Sequence, residues 1–146
     1  MKNDDFLFKI YCSFAITSQE IFPDEITKEL GIQPDQFFLK GDYRKKGRDT
    51  IYTNLHHLWK IRSKTTIDTE GDVSAHISEI HSRIKNKLNI LRRYKKDPKL
   101  DIVVWISIKT DDAGGDFYIT EEELAFINSI SNQLRFSIVA VDEIKM

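Results

Sequence analysis

Gln36-Phe37-Phe38-Leu39-Lys40 is a short apolar piece of sequence on whose pairing the architecture turns. If it is a strand, the elements run strand, helix, strand, strand, helix, strand, helix, strand. The first six then form a split βαβ arrangement, with helices on one face of an antiparallel sheet. If it is not, strands and helices alternate strictly and an α/β sheet results. The next residues, Gly41 to Asp49, are rich in glycine and charge and read as an exposed loop. Thr53 to Arg62 then alternates, with Leu55, His57, Trp59 and Ile61 on one side. Two extended pieces around a basic tip make a hairpin. The sequence therefore predicts an α+β fold of ferredoxin-like, split βαβ type, with one helix and one strand appended.

Towards the N-terminus, Phe8, Ile10, Cys12, Phe14 and Ile16 alternate with more polar residues, the period of a strand with one buried face. Pro23 suits a first helical turn, Asp24 and Glu25 complement the dipole there, and Ile26 with Leu30 form an apolar pair one turn apart. Gly31 supplies the left-handed stop, so a helix is expected over about Pro23 to Leu30.

Towards the C-terminus, Val73, Ile77, Ile80, Ile84, Leu88 and Leu91 make one narrow helical stripe, with Asp72 as N-cap and Pro98 as the stop. A helix of about 25 residues would reach roughly 37 Å, long enough for its end to project from a small sheet. Ile102 to Ile108 is apolar on both alternating sets, as a central strand requires. Asp111 to Asp116, with Gly114-Gly115, reads as a turn. Thr120 and Glu123 have capping-box spacing before a helix to about Ser131, and Phe136, Ile138 and Ala140 mark a last strand.

The 146 residues suit one α+β domain over 1–146, and 40% hydrophobic content lets packing alone support it. With Cys12 the only cysteine, no internal disulfide forms, and a reducing compartment is expected. The N-terminus has no continuous apolar run of signal-peptide type, and no segment approaches the roughly 20 apolar residues of a membrane span. A cytoplasmic protein without membrane attachment is expected.

The chemistry-bearing residues do not fall into reactive spacings. His56 and His57 are neighbours on a strand and point to opposite faces, and His76 and His81 are five apart on a helix. Cys12 sits on an apolar strand face with nothing local to lower its pKa. No nucleophile elbow, phosphate-binding glycine loop or EF-hand register is present. No catalytic residue, metal site or cofactor is expected.

The net charge is −1, yet the charge is unevenly spread. Arg83 to Lys99 carries a local balance of +7, the hairpin tip adds Lys40, Arg44, Lys45, Lys46 and Arg48, and residues 110–125 hold acids and no base. One reading of the helix charges is a solvated face whose cations complement the C-terminal dipole. A docking surface for an anionic partner would use Lys40, Tyr43, Arg44, Lys45, Lys46, Arg48, Arg92, Arg93, Lys95 and Lys96.

Ser13-Phe14, Pro23-Asp24-Glu25-Ile26-Thr27, Leu30-Gly31-Ile32-Gln33-Pro34, Lys40-Gly41-Asp42, Trp59 and Leu124 together resemble the bacterial family catalogued as domain of unknown function 4279. The resemblance spans roughly Tyr11 to Asp142. Its landmarks are capping, turn and core residues, so it implies a shared fold and carries no catalytic residue.

The expected function is a non-enzymatic module that binds another protein, such as an immunity protein neutralising a bacterial toxin. The alternatives are nucleic-acid binding through Arg44, Lys45, Lys46, Arg92, Arg93, Lys95 and Lys96, and a small-ligand protein or enzyme with a site assembled from distant residues, for instance His57, Trp59 and acidic side chains.

Overall fold

A computed structural model describes residues 8–46, 50–64, 73–110 and 117–140. The elements are β1 (Phe8–Ser18), α1 (Pro23–Leu30), β2 (Gln36–Phe38), β3 (Tyr43–Lys46), β4 (Thr50–Thr53), β5 (His57–Arg62), α2 (Val73–Ile84), α3 (Leu88–Lys95), β6 (Leu100–Thr110), α4 (Glu121–Ile130) and β7 (Gln133–Ala140). One turn of 3₁₀-helix, Lys85–Lys87, joins α2 to α3.

The short piece does pair. Gln36, Phe37 and Phe38 lie antiparallel to Lys60, Trp59 and Leu58, which makes β2 the edge of a five-stranded sheet ordered β2-β5-β1-β6-β7. Asp35, just before it, holds that edge: its amide donates to the Lys60 carbonyl, and its carboxylate accepts from the Arg62 amide at 2.8 Å and the Arg83 guanidinium at 2.7 Å. β1 is antiparallel to both β5 and β6, so the first six elements of the main sheet have the split βαβ layout. The appended β7 runs parallel to β6, as a strand reached through the crossover helix α4 can.

The helices share one face of the sheet. Ile10, Cys12, Phe14 and Ile16 of β1, Trp59 and Ile61 of β5, and Ile102, Val104, Ile106 and Ile108 of β6 form a core with Ile26, Leu30, Ile77, Ile80, Ile84, Leu91 and Ile130 from the helices. Gly31 closes α1 at φ 69°, where its amide returns to the Thr27 carbonyl, and Thr120 and Glu123 cap α4 reciprocally.

The structure corrects the sequence reading in two places. The long helix is broken and does not project. β1 and β6 are each 11 residues, about 36 Å of strand, so the sheet is long enough to support both halves. Three residues at 120° instead of 100° each rotate the apolar stripe by about 60°. Leu91 and Tyr94 consequently become the buried pair of α3, while Leu88 is only half-buried. Like-charge repulsion between Arg83 and Lys87, one turn apart, and the low helix propensity of Asn86 favour such a break. The second correction concerns the tip, which is not a bare loop: β3 and β4 pair antiparallel as their own two-stranded sheet, and Leu55, expected on the apolar side, is exposed. Asp72 and the turn at 111–116 lie outside the described residues.

Candidate functional site

The face of the sheet opposite the helices carries a groove whose cause is visible in the strand register. The middle strand presents Ser13, Ala15 and Thr17 to this face, all small, while bulkier residues flank them. One row across the sheet reads Gln36, Lys60, Ala15, Val103, Gln133 from edge to edge. The next reads Phe38, Leu58, Thr17, Asp101, and the row on the other side reads Arg62, Ser13, Trp105, Arg135. Ala15 and Val103 are buried as the floor, and Phe38, Lys60, Trp105 and Arg135 stand around them. The depression holds about 400 Å³. A second one of about 470 Å³ shares Thr17, Phe38 and His56 with it and continues towards Tyr52 and Leu55 at the base of the β3–β4 hairpin.

Cationic and aromatic groups alternate on this face. The Arg135 guanidinium lies 4.5 Å over the Trp105 ring and the Arg62 guanidinium 4.7 Å over the Tyr11 ring, arrangements that hold the cations at fixed places on the sheet. Among the described residues, Trp105 Nε1 is shielded from solvent and has no hydrogen-bond partner. Asp101 is the acidic group of the groove lining.

The residues singled out from charge alone are divided between two places. Lys40 and Tyr43 to Lys46 lie at or on the hairpin, with Tyr43 and Lys45 exposed and Arg44 and Lys46 placed by backbone pairing with Tyr52 and Thr50. Arg48 lies outside the described residues. Arg92, Arg93, Lys95 and Lys96 belong to the α3 end, on the helix side of the molecule. There Arg93 pairs with Glu29 of α1, and Lys95 donates to the Asn128 carbonyl of α4, while Arg92 and Lys96 are exposed. Tyr94 also donates to Glu29 at 2.6 Å, which together with Arg93 holds that carboxyl below its ordinary range; burial first, and then this bond, raise the Tyr94 phenol. Half of the α3 cations thus tie helices together.

His57 and Trp59 are core residues. The Trp59 indole donates to Thr27 Oγ1 at 3.0 Å, and His57 Nδ1 accepts from the Lys40 amide while its ring packs 4.2 Å from Phe22. Among the described residues, the nearest approach to a nucleophile–base pair is Ser63 Oγ, 2.8 Å from His76 Nδ1; Ser63 Oγ also accepts from the Cys12 amide, and the Ser63 amide donates to the Cys12 carbonyl. All three residues are buried. The Cys12 thiol is pushed up to about 12, by burial first and by the Glu79 charge second, so it stays protonated at neutral pH. The cluster ties the end of β5 to β1 and to α2. No group of three or more His, Cys, Asp or Glu side chains among the described residues is placed to hold a metal ion, and no described helix is long and apolar enough to cross a membrane.

The fold also gives the sequence landmarks definite roles: Leu30-Gly31-Ile32 is the end of α1, Lys40-Gly41-Asp42 is the turn into the hairpin, and Trp59 is fully buried beneath α1. Compared with known families, residues 8–140 match the domain of unknown function DUF4279. The chain belongs to the DUF4279 family. The match runs from the first residue of β1 to the last of β7, so the DUF4279 unit includes the appended helix and strand and the whole open face. No curated protein and no solved structure matches the chain.

The sequence reading missed the groove. Its available signal was the strand Ile102–Ile108, whose second alternating set contains Val103 and Trp105, more apolar than a solvated sheet face needs.

Proposed function

We propose that this chain is a non-enzymatic interaction module that binds another protein in the groove on the open face of its sheet. The observation that carries this reading is the joined pair of depressions, about 400 and 470 Å³, floored by small residues and walled by Trp105, Phe38, Lys60 and Arg135. A long shallow trough mixing aromatic and charged walls fits an extended polypeptide segment, with apolar contacts for affinity and charge for orientation. The β3–β4 hairpin at its end gives Tyr43 and Lys45 to the same partner, and the exposed cations of α3 stay on the helix side. An immunity protein neutralising a bacterial toxin is the setting we propose for such a module, since neutralisation needs only a stable scaffold and a complementary surface. Protection of cells against the product of an adjacent toxin gene checks that setting.

Photo-cross-linking tests the surface. A benzophenone side chain replacing Gln133, in the groove, should give a protein adduct in the native host that resists nuclease and disappears when Ala15→Phe fills the floor. The same group replacing Arg92 should give none. Failure at Gln133, a nuclease-sensitive product, or an adduct confined to Arg92 overturns the reading.

A further inference from the structure

The rows of the open face align charge as well as shape. At one end of the groove Trp105 and Arg135 are direct neighbours on β6 and β7, with Arg62 in the same row on β5. At the other end, four residues along β6, stands Asp101. Arg135 is exposed and takes part in none of the ion pairs among the described residues. A guanidinium stacked on an indole keeps its N–H edge available to a planar anion. In the same spot the Trp105 Nε1–H is shielded from solvent and unbonded, so it reports on the guanidinium stacked over its ring without itself meeting a ligand.

We infer that the Trp105–Arg135 end is a carboxylate subsite, and that the partner segment is acidic there: an aspartate or glutamate side chain of the partner accepts from the exposed Arg135 guanidinium, which the Trp105 ring holds in place. This rests on the protein-binding reading above. Charge-assisted bonds of this geometry are the strong ones, and Arg is suited to two parallel bonds with a carboxylate. Asp101, about 13 Å away along the strand, repels a second anion and orients the segment with a neutral or basic residue over it. A nucleic-acid strand fits less well. It would set a phosphate beside Asp101, and the Tyr11 and Trp105 ring faces that bases need for stacking are already covered by Arg62 and Arg135.

The test uses the indole N–H resonances of the two tryptophans. Trp59, already bonded to Thr27, is the internal reference, and Trp105→Phe assigns the other signal. The probe is a capped Ser/Thr-rich peptide with one Glu and, four positions on, one Lys. Its Glu→Gln counterpart and an oligothymidylate of equal length are the comparison arms. The Glu peptide should move the Trp105 signal saturably and leave Trp59 in place. The Gln peptide, or the Glu peptide with Arg135→Gln protein, should bind about tenfold more weakly, the loss of one charge-assisted hydrogen bond. An unmoved Trp105 signal, an equal response to the Gln peptide, an unchanged affinity in Arg135→Gln, or a stronger response to the oligothymidylate overturns the carboxylate subsite. Protein cross-links at Gln133 together with any of these results reject the subsite alone. Absent cross-links reject the protein-binding reading itself.

Discussion

Asp35→Asn probes the contact that fixes β2 on the sheet edge. Burial by itself would raise the Asp35 carboxyl, but the Arg83 guanidinium, the Arg62 amide and Lys64 overcome it and hold the group at about 2, against an ordinary 3.8. That displacement corresponds to about 2.5 kcal/mol at most. Solvent reduces it, because the Asp35 side chain is 21% exposed and its partner Lys64 is 66% exposed. About 1–2 kcal/mol at neutral pH is the expected cost of the substitution, equivalent to roughly 2–6 °C in Tm for a domain of this size. The carboxyl is depressed in the folded state, so its contribution is complete above about pH 5 and is lost as pH falls through about 4 towards 2. Urea unfolding of wild type and variant should therefore differ at pH 7, and the gap should shrink to about half at pH 3. Asn keeps an oxygen for the Arg62 amide, so the pH-dependent part isolates the charge. A gap of equal size at both pH values, or none at pH 7, refutes the assignment of the stabilisation to the Asp35–Arg83 ion pair.

Three further outcomes follow from the same geometry. Ala15→Phe fills the groove floor from a position facing away from the helices, so cross-linking at Gln133 should vanish while circular dichroism and the near-ultraviolet signature of Trp59 persist; loss of the fold would show that Ala15 is packed too tightly to be a groove floor. Thr27→Val keeps the shape but strands the buried Trp59 indole N–H, and should cost about 1–3 kcal/mol in urea unfolding; an unchanged midpoint would mean the bond contributes nothing net. Cys12, buried and with its thiol pushed up to about 12, should resist a disulfide reagent at about pH 8 in the folded protein and react at once in denaturant; rapid reaction of the native protein would contradict that burial.

The architecture was largely legible because its signals are local. Gly31 after Leu30, Thr120 with Glu123, and the period-2 runs of β1 and β6 each act within a few residues and survive into the structure. Gln36–Phe38 was the weak link, being three residues long, and what secures it is Asp35 reaching Arg62 and Arg83 across 27 and 48 positions of sequence. No periodicity records such a contact. The break at Lys85–Lys87 escaped for a related reason. The average spacing of Val73 to Leu91 is helical throughout and hides the local bias at Lys85–Lys87, which packing of α2 against β1 and of α3 against β6 and α4 turns into two shorter helices.

The groove was illegible for a deeper physical reason. Ser13, Ala15 and Thr17 read along the chain as the polar side of a half-buried strand, which is what a plain solvated face would also show. They become a floor only because β5 brings Lys60 beside Ala15 while β6 brings Val103 to its other side, and a slip of one residue in the β1–β6 ladder would send Trp105 into the core and Val104 to the surface. Charge counting instead pointed to runs dense in sequence, and the fold spends Arg93 and Lys95 on holding α1 and α4 in place. Of the cations on the open face, Lys60 and Arg62 stand two residues apart on β5, and only register brings Arg135 of β7 into the same row as Arg62. In a sheet protein of this kind, the chemistry of an open face is therefore written across strands as well as along them, and the informative sequence signal is the apolar residue, here Trp105, standing where a solvated face has no use for one.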